Sequence, residues 1–295
     1  MTDLLPGFTP RRITSSSADI HCVVGGKGPP LLLLHGYPQT HVMWHRIAPR
    51  LAESFTVVCS DLRGYGDSAK PDGGANHVNY SKRAMAADQV ELMRALGFAR
   101  FRLAGHDRGG RVAHRLCLDH PDAVEQVAVL DISPTATMFG RTDQAFATAY
   151  YHWFFLIQPF DLPERLIASD PSFYLRRKTG GWGSAANIFD PRAFAEYERC
   201  FAMPETIHAT CEDYRAAASI DLEHDDADVA AGRKITCPLL VLWGENGVVH
   251  RYFDPVNDWR TVADDVRGRA LPSGHYLAEE VPEETLVEFL AFFAR

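Results

Sequence analysis

Short, uninterrupted apolar runs recur along the chain, and each ends at a turn signal such as glycine, proline or aspartate. Runs without alternating polar residues are typical of strands that are buried on both faces of a sheet. Helical patterns lie between them, so the order indicates an open, mostly parallel α/β sheet with helices on both faces. The predicted strands are 29–36, 55–61, 100–106, 126–132, 237–245 and 267–275, and the predicted helices lie near 45–54, 81–96, 109–120 and 283–294.

Two further segments complete this organisation. Before the first long strand, RRITSS and DIHCVVGG flank a polar turn and predict an antiparallel hairpin. From about Ser133 to Ile235 the pattern predicts no strand, and aromatic residues are frequent. Because ligands of open α/β sheets bind outside the carboxyl ends of the strands, a helical insertion here would cover the site. We therefore predict a core formed by 1–133 and 236–295 and a helical cap formed by 134–235.

The amino-acid composition and charge limit the kinds of molecule that the protein is expected to bind. Of the 295 residues, 46% are hydrophobic and 23% are charged, as in an ordinary soluble globular protein. The net charge of −8 argues against a surface for nucleic acid or anionic membranes, although a local pair of arginines could still bind a small anion. The six cysteines are scattered without metal-type spacing, which indicates reduced thiols. With no signal peptide or membrane-length apolar run, we expect a cytoplasmic protein without nucleic-acid or membrane partners.

The segment Gly105-His106-Asp107-Arg108-Gly109 joins a predicted strand to a predicted helix. A G-x-D-x-G sequence in this context is typical of a nucleophile elbow, a sharp turn that holds its middle side chain at the edge of the sheet. Asp107 could instead cap the following helix. The sequence therefore offers a candidate nucleophile that needs partners elsewhere in the chain.

Three other segments supply such partners. The HGYP motif follows the first long strand and would place the Tyr37 amide, together with the amide of Arg108, in an oxyanion hole. His275 follows the last predicted strand, where a general base is expected. Asp131 ends the strand before the insertion and would orient His275, and Glu245 is the less favoured alternative.

A carboxylate nucleophile restricts the reaction. Attack by Asp107 on an acyl carbon would give a reactive anhydride, whereas attack on a saturated carbon with a leaving group gives an ordinary ester. His275 could then activate water against that ester, and the oxyanion hole would stabilise the tetrahedral intermediate. The residues therefore favour displacement at carbon over acyl transfer.

With these residues assigned, nearly the whole chain resembles the haloacetate (fluoroacetate) dehalogenase family of the α/β-hydrolase superfamily. LLLLHGYPQTHVMW, DLRGYGDS and AGHDRGGR are shared with epoxide hydrolases and alkyl dehalogenases, whereas AVLDISPT, YYHWFF, CEDYRA and SGHYL are more specific. Haloalkane dehalogenases typically have a tryptophan directly after the nucleophile, and this chain has Arg108. The resemblance implies an α/β-hydrolase fold and hydrolytic dehalogenation of small anionic haloacids such as fluoroacetate or chloroacetate, without a cofactor or a metal.

The resemblance also assigns binding roles. Arg108 and Arg111 would hold the substrate carboxylate, which agrees with bidentate guanidinium–carboxylate pairing and with their place one turn apart at a helix N-terminus. His152, Trp153 and Tyr214 would donate hydrogen bonds to the departing halide. Because His152 and Trp153 are adjacent, they diverge by about 100° on a helix, so both can line one pocket only if the helix end faces it.

Other interpretations of the same residues stay open. An epoxide hydrolase could use the Asp107–His275 pair with a cap tyrosine that protonates the ring oxygen, although an uncharged epoxide does not need two arginines. A receptor that binds a small molecule without turnover is a third class, against which the full set of nucleophile, base and orienting acid argues. Trp182 and 246–251 could shape the pocket, and halide preference depends on dimensions finer than residue identity. Members of the family are often homodimers, and nothing else in the sequence bears on oligomeric state.

Overall fold

The computed structural model describes residues 4–184 and 188–294, and within them eight strands form one mixed sheet. The strands are β1 (Thr9–Thr14), β2 (Asp19–Gly25), β3 (Pro30–Leu34), β4 (Thr56–Ser60), β5 (Phe101–His106), β6 (Val124–Leu130), β7 (Leu239–Gly244) and β8 (Val266–Leu271). They are ordered β1-β2-β4-β3-β5-β6-β7-β8; β1 and β2 pair antiparallel, as do β2 and β4, and the remaining pairs are parallel. The predicted hairpin and the mostly parallel α/β sheet are confirmed.

Helices connect these strands. In the described residues the α-helices are α1 (Ala48–Leu51), α2 (Lys82–Ala95), α3 (Arg108–Asp119), α4 (Thr135–Gly140), α5 (Gln144–Ala149), α6 (Tyr151–Leu156), α7 (Leu162–Ala168), α8 (Pro171–Thr179), α9 (Pro191–Phe201), α10 (Pro204–Ala217), α11 (Ile220–Ala230), α12 (Val248–Tyr252), α13 (Pro255–Arg260), α14 (Leu277–Glu280) and α15 (Pro282–Phe293). Short 3₁₀ helices cover His41–Trp44, Ala75–Tyr80 and Pro121–Ala123.

One helix prediction was wrong in its extent. The pattern near 45–54 folds as a 3₁₀ helix at His41–Trp44 followed by the single turn of α1. Pro49 gives the reason, because a continuous helix would place it in the interior, where it lacks the N–H for the helical hydrogen bond. In the structure it lies in the first turn of α1, where that N–H is not needed.

The buried strands explain the continuous apolar runs. Leu31, Leu32, Leu33 and Leu34 of β3 are all fully buried, although successive side chains of a strand point to opposite faces. Both faces of the sheet are therefore covered. The same holds for the C-terminal half of β6, where residues 127–130 are fully buried.

The carboxyl edge of the parallel strands gathers the candidate residues. Tyr37 follows β3, Asp107 follows β5, Asp131 follows β6 and His275 follows β8. Between β6 and β7 the described residues form α4 to α11 and no strand, and in this interval we place the cap; its bounds stay a prediction. None of the helices in 4–184 and 188–294 combines the length and the hydropathy needed to cross a membrane.

Candidate active site

Asp107 stands between β5 and α3 in a strained conformation, with φ at 46° and ψ at −112°. The adjoining glycines are required for space: a Cβ at Gly36 would lie 2.5 Å from the Asp107 Cβ, and one at Gly109 would lie 2.4 Å from the His35 carbonyl oxygen. Asp107 occupies the N-cap position of α3, but its side chain makes no capping hydrogen bond. The turn is therefore built as a nucleophile elbow and not as a helix cap.

One oxygen of the Asp107 carboxylate is bound by the backbone. The Tyr37 N–H donates to Asp107 Oδ1 over 3.0 Å, which is the place that an oxyanion-hole donor requires. Arg108 is the first residue of α3, so its N–H is among those that a helix leaves without an intrahelical partner. The Tyr37 ring is buried and stacks on the His152 ring with centroids 6.0 Å apart. Tyr37 therefore forms part of the wall as well as supplying its amide, which the sequence did not indicate.

His275 and Asp131 form a buried pair. His275 Nδ1 lies 2.6 Å from Asp131 Oδ2, and the Gly244 N–H donates to Asp131 Oδ1 over 3.0 Å. Glu245, the alternative acid, is exposed. The structure thus brings His275 together with Asp131 and leaves Glu245 aside, so the neutral imidazole carries its proton on Nδ1 and its lone pair on Nε2.

Electrostatics separate the roles of Asp107 and His275. Burial alone would raise the pKa of Asp107, but electrostatic interactions with His275, His106 and the two arginines outweigh it and lower that pKa, so Asp107 is ionised. Burial alone would lower the pKa of His275, but the hydrogen bond and charge of Asp131 outweigh it and raise that pKa. Asp107 is thus a carboxylate, and His275 gains base strength from its partner.

His106, the residue directly before Asp107, makes a hydrogen bond to the backbone of His275. Its Nε2 lies 2.9 Å from the His275 carbonyl oxygen, and the two rings are 4.5 Å apart. Burial and the nearby charge of His275 lower the pKa of His106 to about 3. His106 is therefore neutral and donates from Nε2 to that carbonyl. We did not predict this contact, since it joins residues that lie far apart in the sequence.

Arg108 is fully buried and paired with Asp213 on α10. Its Nε donates to Asp213 Oδ2 over 2.9 Å and its Nη2 to Oδ1 over 2.7 Å, which is the bidentate geometry of a strong ion pair. Asp213 also accepts from the Tyr65 hydroxyl over 2.6 Å and pairs with Lys82. The guanidinium lies 4.2 Å from the centre of the Tyr214 ring. Of its nitrogens, Nη1 has no partner.

Arg111, one turn further along α3, has a different environment. Its Nη1 donates to Thr135 Oγ1 over 2.9 Å and to the Ser133 carbonyl over 3.2 Å, and its guanidinium lies 4.6 Å from the Trp153 ring. No carboxylate in the described residues pairs with it. Burial and the charge of Arg108 lower the pKa of Arg111 to about 10. Its Nε has no hydrogen-bond partner, so Arg111 is a buried cation without an ion-paired carboxylate, and the nearby Asp107 only partly offsets its charge.

The three residues expected to bind halide converge. His152, Trp153 and Tyr214 are each at most 2% exposed. The Tyr214 ring lies 5.7 Å from that of His152 and 6.5 Å from that of Trp153. Both neighbours lie in the first turn of α6. His152 Nδ1 and the Tyr214 hydroxyl have no partner, and burial lowers the pKa of His152, so these are neutral groups able to donate.

Trp182 connects the cap to the base. Its ring lies 4.8 Å from the His152 ring and 5.0 Å from the His275 ring. The backbone next to it approaches the segment after β7, since a Cβ at Gly183 would lie 2.0 Å from the Asn246 carbonyl oxygen. Trp182 therefore lines the site, and the start of 246–251 packs against the cap beside it.

Known proteins are similar to this chain over nearly its whole length. The family model described as the alpha/beta hydrolase fold matches residues 29–282. A fluoroacetate dehalogenase from Burkholderia sp is 49% identical over 292 residues, which cover 98% of this chain and 95% of that protein. The chain belongs to the fluoroacetate dehalogenase family of the α/β hydrolases. It is therefore an enzyme of the hydrolase class.

Other α/β hydrolases are also similar to this member of the fluoroacetate dehalogenase family. A soluble epoxide hydrolase from Corynebacterium sp. (strain C12) is 37% identical over 280 residues, 93% of each protein. A solved structure from Nostoc sp PCC 7120, described as an α/β hydrolase, is 58% identical, covers 98% of each chain and superposes with a TM-score of 0.96. Because relatives with both activities share the fold, the choice of substrate depends on the residues of the site.

One group in the described residues has the ligand types and spacing that a metal ion needs: His21, His41 and Asp61. The Asp61 carboxylate is already satisfied, however. It accepts from His41 Nδ1 over 2.9 Å, from His21 Nδ1 over 3.1 Å, and from the backbone N–H groups of His41 and Asp67 over 2.8 and 3.0 Å. These hydrogen bonds fix the turn after β4, and the group plays no part in the site around Asp107.

Proposed function

We propose that this member of the fluoroacetate dehalogenase family is a hydrolytic dehalogenase that converts a haloacetate, such as fluoroacetate or chloroacetate, to glycolate and halide. The pair of buried arginines next to Asp107 is the observation that carries the proposal. Arg108 Nη1 and Arg111 Nε are buried N–H donors without partners. Arg111 also forms no ion pair with a carboxylate among the described residues. A small substrate that carries its own carboxylate would satisfy both donors and the unpaired charge.

In the first step the bound substrate is displaced at its α-carbon. Because the Tyr37 amide holds Asp107 Oδ1, the attacking atom is Oδ2. Its electron pair forms the bond to the α-carbon as the carbon–halogen bond breaks, and the halogen leaves as halide. His152 Nδ1 and the Tyr214 hydroxyl, both without a partner, donate hydrogen bonds to the halide as charge develops on it. The Trp153 indole is the third proposed donor. The step leaves an ester between Asp107 and the acetate unit.

In the second step His275 activates water. Its Nε2 takes a proton from water while Asp131 stabilises the resulting imidazolium. The hydroxide attacks the carbonyl carbon of the Asp107 ester, and the oxyanion at Oδ1 is held by the amides of Tyr37 and Arg108. Collapse of this intermediate breaks the bond between Oδ2 and the carbonyl carbon, the proton returns from His275 to the departing oxygen, and glycolate leaves. The Asp107 carboxyl group, which now carries the hydroxyl derived from water, releases its remaining proton to solvent and is regenerated as a carboxylate.

An epoxide hydrolase is the second candidate, and the unpartnered Tyr214 hydroxyl together with the Corynebacterium relative supports it. The same Asp107 and His275 would open the ring and hydrolyse the ester, with Tyr214 protonating the ring oxygen. A neutral epoxide offers no negative charge to Arg111, whose buried guanidinium forms no ion pair with a carboxylate in the described residues. The haloacid is therefore the better fit.

The decisive experiment measures halide release from fluoroacetate, chloroacetate and a neutral haloalkane, beside hydrolysis of styrene oxide. We expect release from the two haloacids and none from the haloalkane. Hydrolysis of styrene oxide without halide release from either haloacid would contradict the proposal and identify an epoxide hydrolase. Absence of turnover with every substrate, together with saturable haloacetate binding, would identify a receptor.

Location and assembly are proposed separately. Five of the six cysteines are buried and all six are free thiols, which supports a reducing, cytoplasmic compartment. The family resemblance supports a homodimer. Size-exclusion chromatography with light scattering tests the assembly, and a monomer at micromolar concentration would contradict it.

A further inference from the structure

The backbone on both sides of His275 is held by one carboxylate. The N–H groups of Gly274 and Tyr276 each donate to Glu280, over 2.8 Å to Oε2 and 2.8 Å to Oε1 respectively. Glu280 is the last residue of α14, which begins directly after this loop. The side chain therefore folds back over its own helix and clamps the segment that carries the base.

The third amide in this row is bound by the cap. The His275 N–H donates to Ser184 Oγ over 3.3 Å, and the Ser184 hydroxyl donates to Glu280 Oε1 over 2.6 Å. Three consecutive N–H groups, at residues 274 to 276, thus bind the Glu280 carboxylate and the Ser184 hydroxyl. We call these two side chains the Ser184–Glu280 clamp. Ser184 and Glu280 are 96 residues apart in the sequence, so the pair joins the segment between α8 and α9 to the carboxyl edge of the core.

Close backbone packing at the same place shows that this contact is built into the fold. A Cβ at Gly274 would lie 2.4 Å from the Ser184 nitrogen and 2.5 Å from the Gly183 carbonyl carbon. Only glycine allows the two segments to approach in this way. The Trp182 ring, two residues before Ser184, lies 5.0 Å from the His275 ring.

We propose that Glu280 and Ser184 are positioning residues that fix the His275 backbone and tie the base to the cap. This inference rests on the proposed function, because it concerns the second step. Attack by Asp107 on the substrate does not use His275, whereas hydrolysis of the ester does. Loss of the clamp therefore slows hydrolysis and leaves the first displacement intact.

The test compares Ser184→Ala, Glu280→Gln and Glu280→Ala with Glu284→Gln, a control at an exposed position of α15. Rapid-quench measurement with chloroacetate separates the first release of halide from the steady state. We expect the first three variants to release about one halide per site at the wild-type rate and then to turn over on the order of 10- to 100-fold more slowly. Mass spectrometry should find the ester on the peptide that contains Asp107.

A second measurement does not depend on turnover. Amide hydrogen exchange of the peptide around 274–276 should accelerate by about tenfold or more in the Ser184 and Glu280 variants and stay unchanged in Glu284→Gln. Circular dichroism in the near ultraviolet establishes that each variant is folded.

Three outcomes would overturn the inference: unchanged exchange, unchanged steady-state turnover in folded variants, or equal losses in the burst and the steady state. If the wild-type enzyme releases no halide, the proposed function fails while hydrogen exchange still decides whether the clamp exists. Glu280→Gln should be milder than Glu280→Ala, because its carbonyl oxygen can still accept one of the two backbone hydrogen bonds.

Discussion

The catalytic side and the binding side of the site are held in different ways. On the catalytic side, Asp131 accepts two hydrogen bonds, His275 Nδ1 has its partner, and the Tyr37 amide holds one oxygen of Asp107. These groups are oriented before any substrate arrives. In the proposed mechanism, the residues that hydrolyse the ester therefore come from the core, and the cap contributes Ser184 at the His275 backbone and Trp182 at the His275 ring.

On the binding side, polar groups are buried without partners. Arg108, Arg111, His152 and Tyr214 each keep one such nitrogen or oxygen. An unpaired buried donor destabilises a folded protein unless a ligand satisfies it. The difference supports the proposal that the core determines the type of reaction and that the unpartnered donors at α3, α6 and α10 select an anionic substrate.

Removal of the nucleophile should have the largest effect. Asp107→Asn keeps the shape of the elbow but cannot form the ester, so we expect halide release to fall by at least about 10⁴-fold. An ion-selective electrode with fluoroacetate measures this loss, and thermal unfolding serves as the control for folding. Residual turnover near the wild-type rate would mean that the catalytic side acts without a covalent intermediate.

Substitutions of the two arginines should differ in their effect on stability, although both should weaken substrate binding. Arg111→Met removes a buried cation that forms no ion pair with a carboxylate in the described residues, so kcat/KM for chloroacetate should fall by about 10²- to 10³-fold with little loss of stability. Arg108→Met also leaves Asp213 without its bidentate partner and should lower the free energy of unfolding by about 3–5 kcal/mol. Steady-state kinetics and urea unfolding measure the two quantities. Equal stability of the two variants would contradict the distinction between them.

A smaller effect is expected at the halide. Tyr214→Phe keeps the ring beneath Arg108 but removes the hydroxyl donor. Because fluoride requires more hydrogen bonding than bromide to leave, kcat for fluoroacetate should fall by about 10- to 100-fold and kcat for bromoacetate by less. Tyr252→Phe, whose ring contacts Phe146, is the matched control. A uniform loss for both halides would remove Tyr214 from the halide site.

The last expected change concerns stability and its dependence on pH, and it leaves turnover aside. Lys178 in the cap is 3% exposed, its Nζ lies 3.7 Å from the Tyr151 ring and no carboxylate in the described residues pairs with it. Burial, with the nearby charge of Arg177, lowers the pKa of Lys178 from 10.5 to about 7. The charged form is thus disfavoured in the folded state, and the cost is complete below pH 7 and disappears as the pH rises from about 7 to about 10.5.

Lys178→Met should therefore be more stable than the wild type below pH 7, by roughly 2–4 kcal/mol, and the two should converge as the pH approaches 10. Urea unfolding at several pH values measures this difference. A difference that does not depend on pH would show that Lys178 is not a buried, unpaired cation.

The sequence predicted the parts of the fold that depend on local pattern. Continuous apolar runs identified the strands because both faces of the sheet are covered, and the residues placed at strand ends meet at one edge because parallel strands end together. The helix near 45–54 was misjudged because hydrophobic periodicity does not register the cost of Pro49 in a helix interior.

Contacts between distant segments could not be predicted in the same way. Asp213 was visible in the CEDYRA motif, but nothing in the sequence indicated that it would neutralise one arginine and not the other. The Ser184–Glu280 clamp and the hydrogen bond from His106 to the His275 carbonyl also join segments that are close only after folding. Such pairs depend on tertiary geometry, for which a single sequence carries no periodic signal.

The hydrogen bond from the Tyr37 amide makes the two oxygens of Asp107 unequal over many catalytic cycles. In the proposed mechanism Oδ1 stays in the oxyanion hole, Oδ2 departs as the hydroxyl oxygen of glycolate, and an oxygen from water takes its place. Each molecule of product then carries the water oxygen of the preceding cycle. An enzyme transferred into H₂¹⁸O should therefore release its first product unlabelled and every later product labelled. The label in each product lags by one cycle, because its hydroxyl oxygen entered Asp107 from water in the preceding turnover.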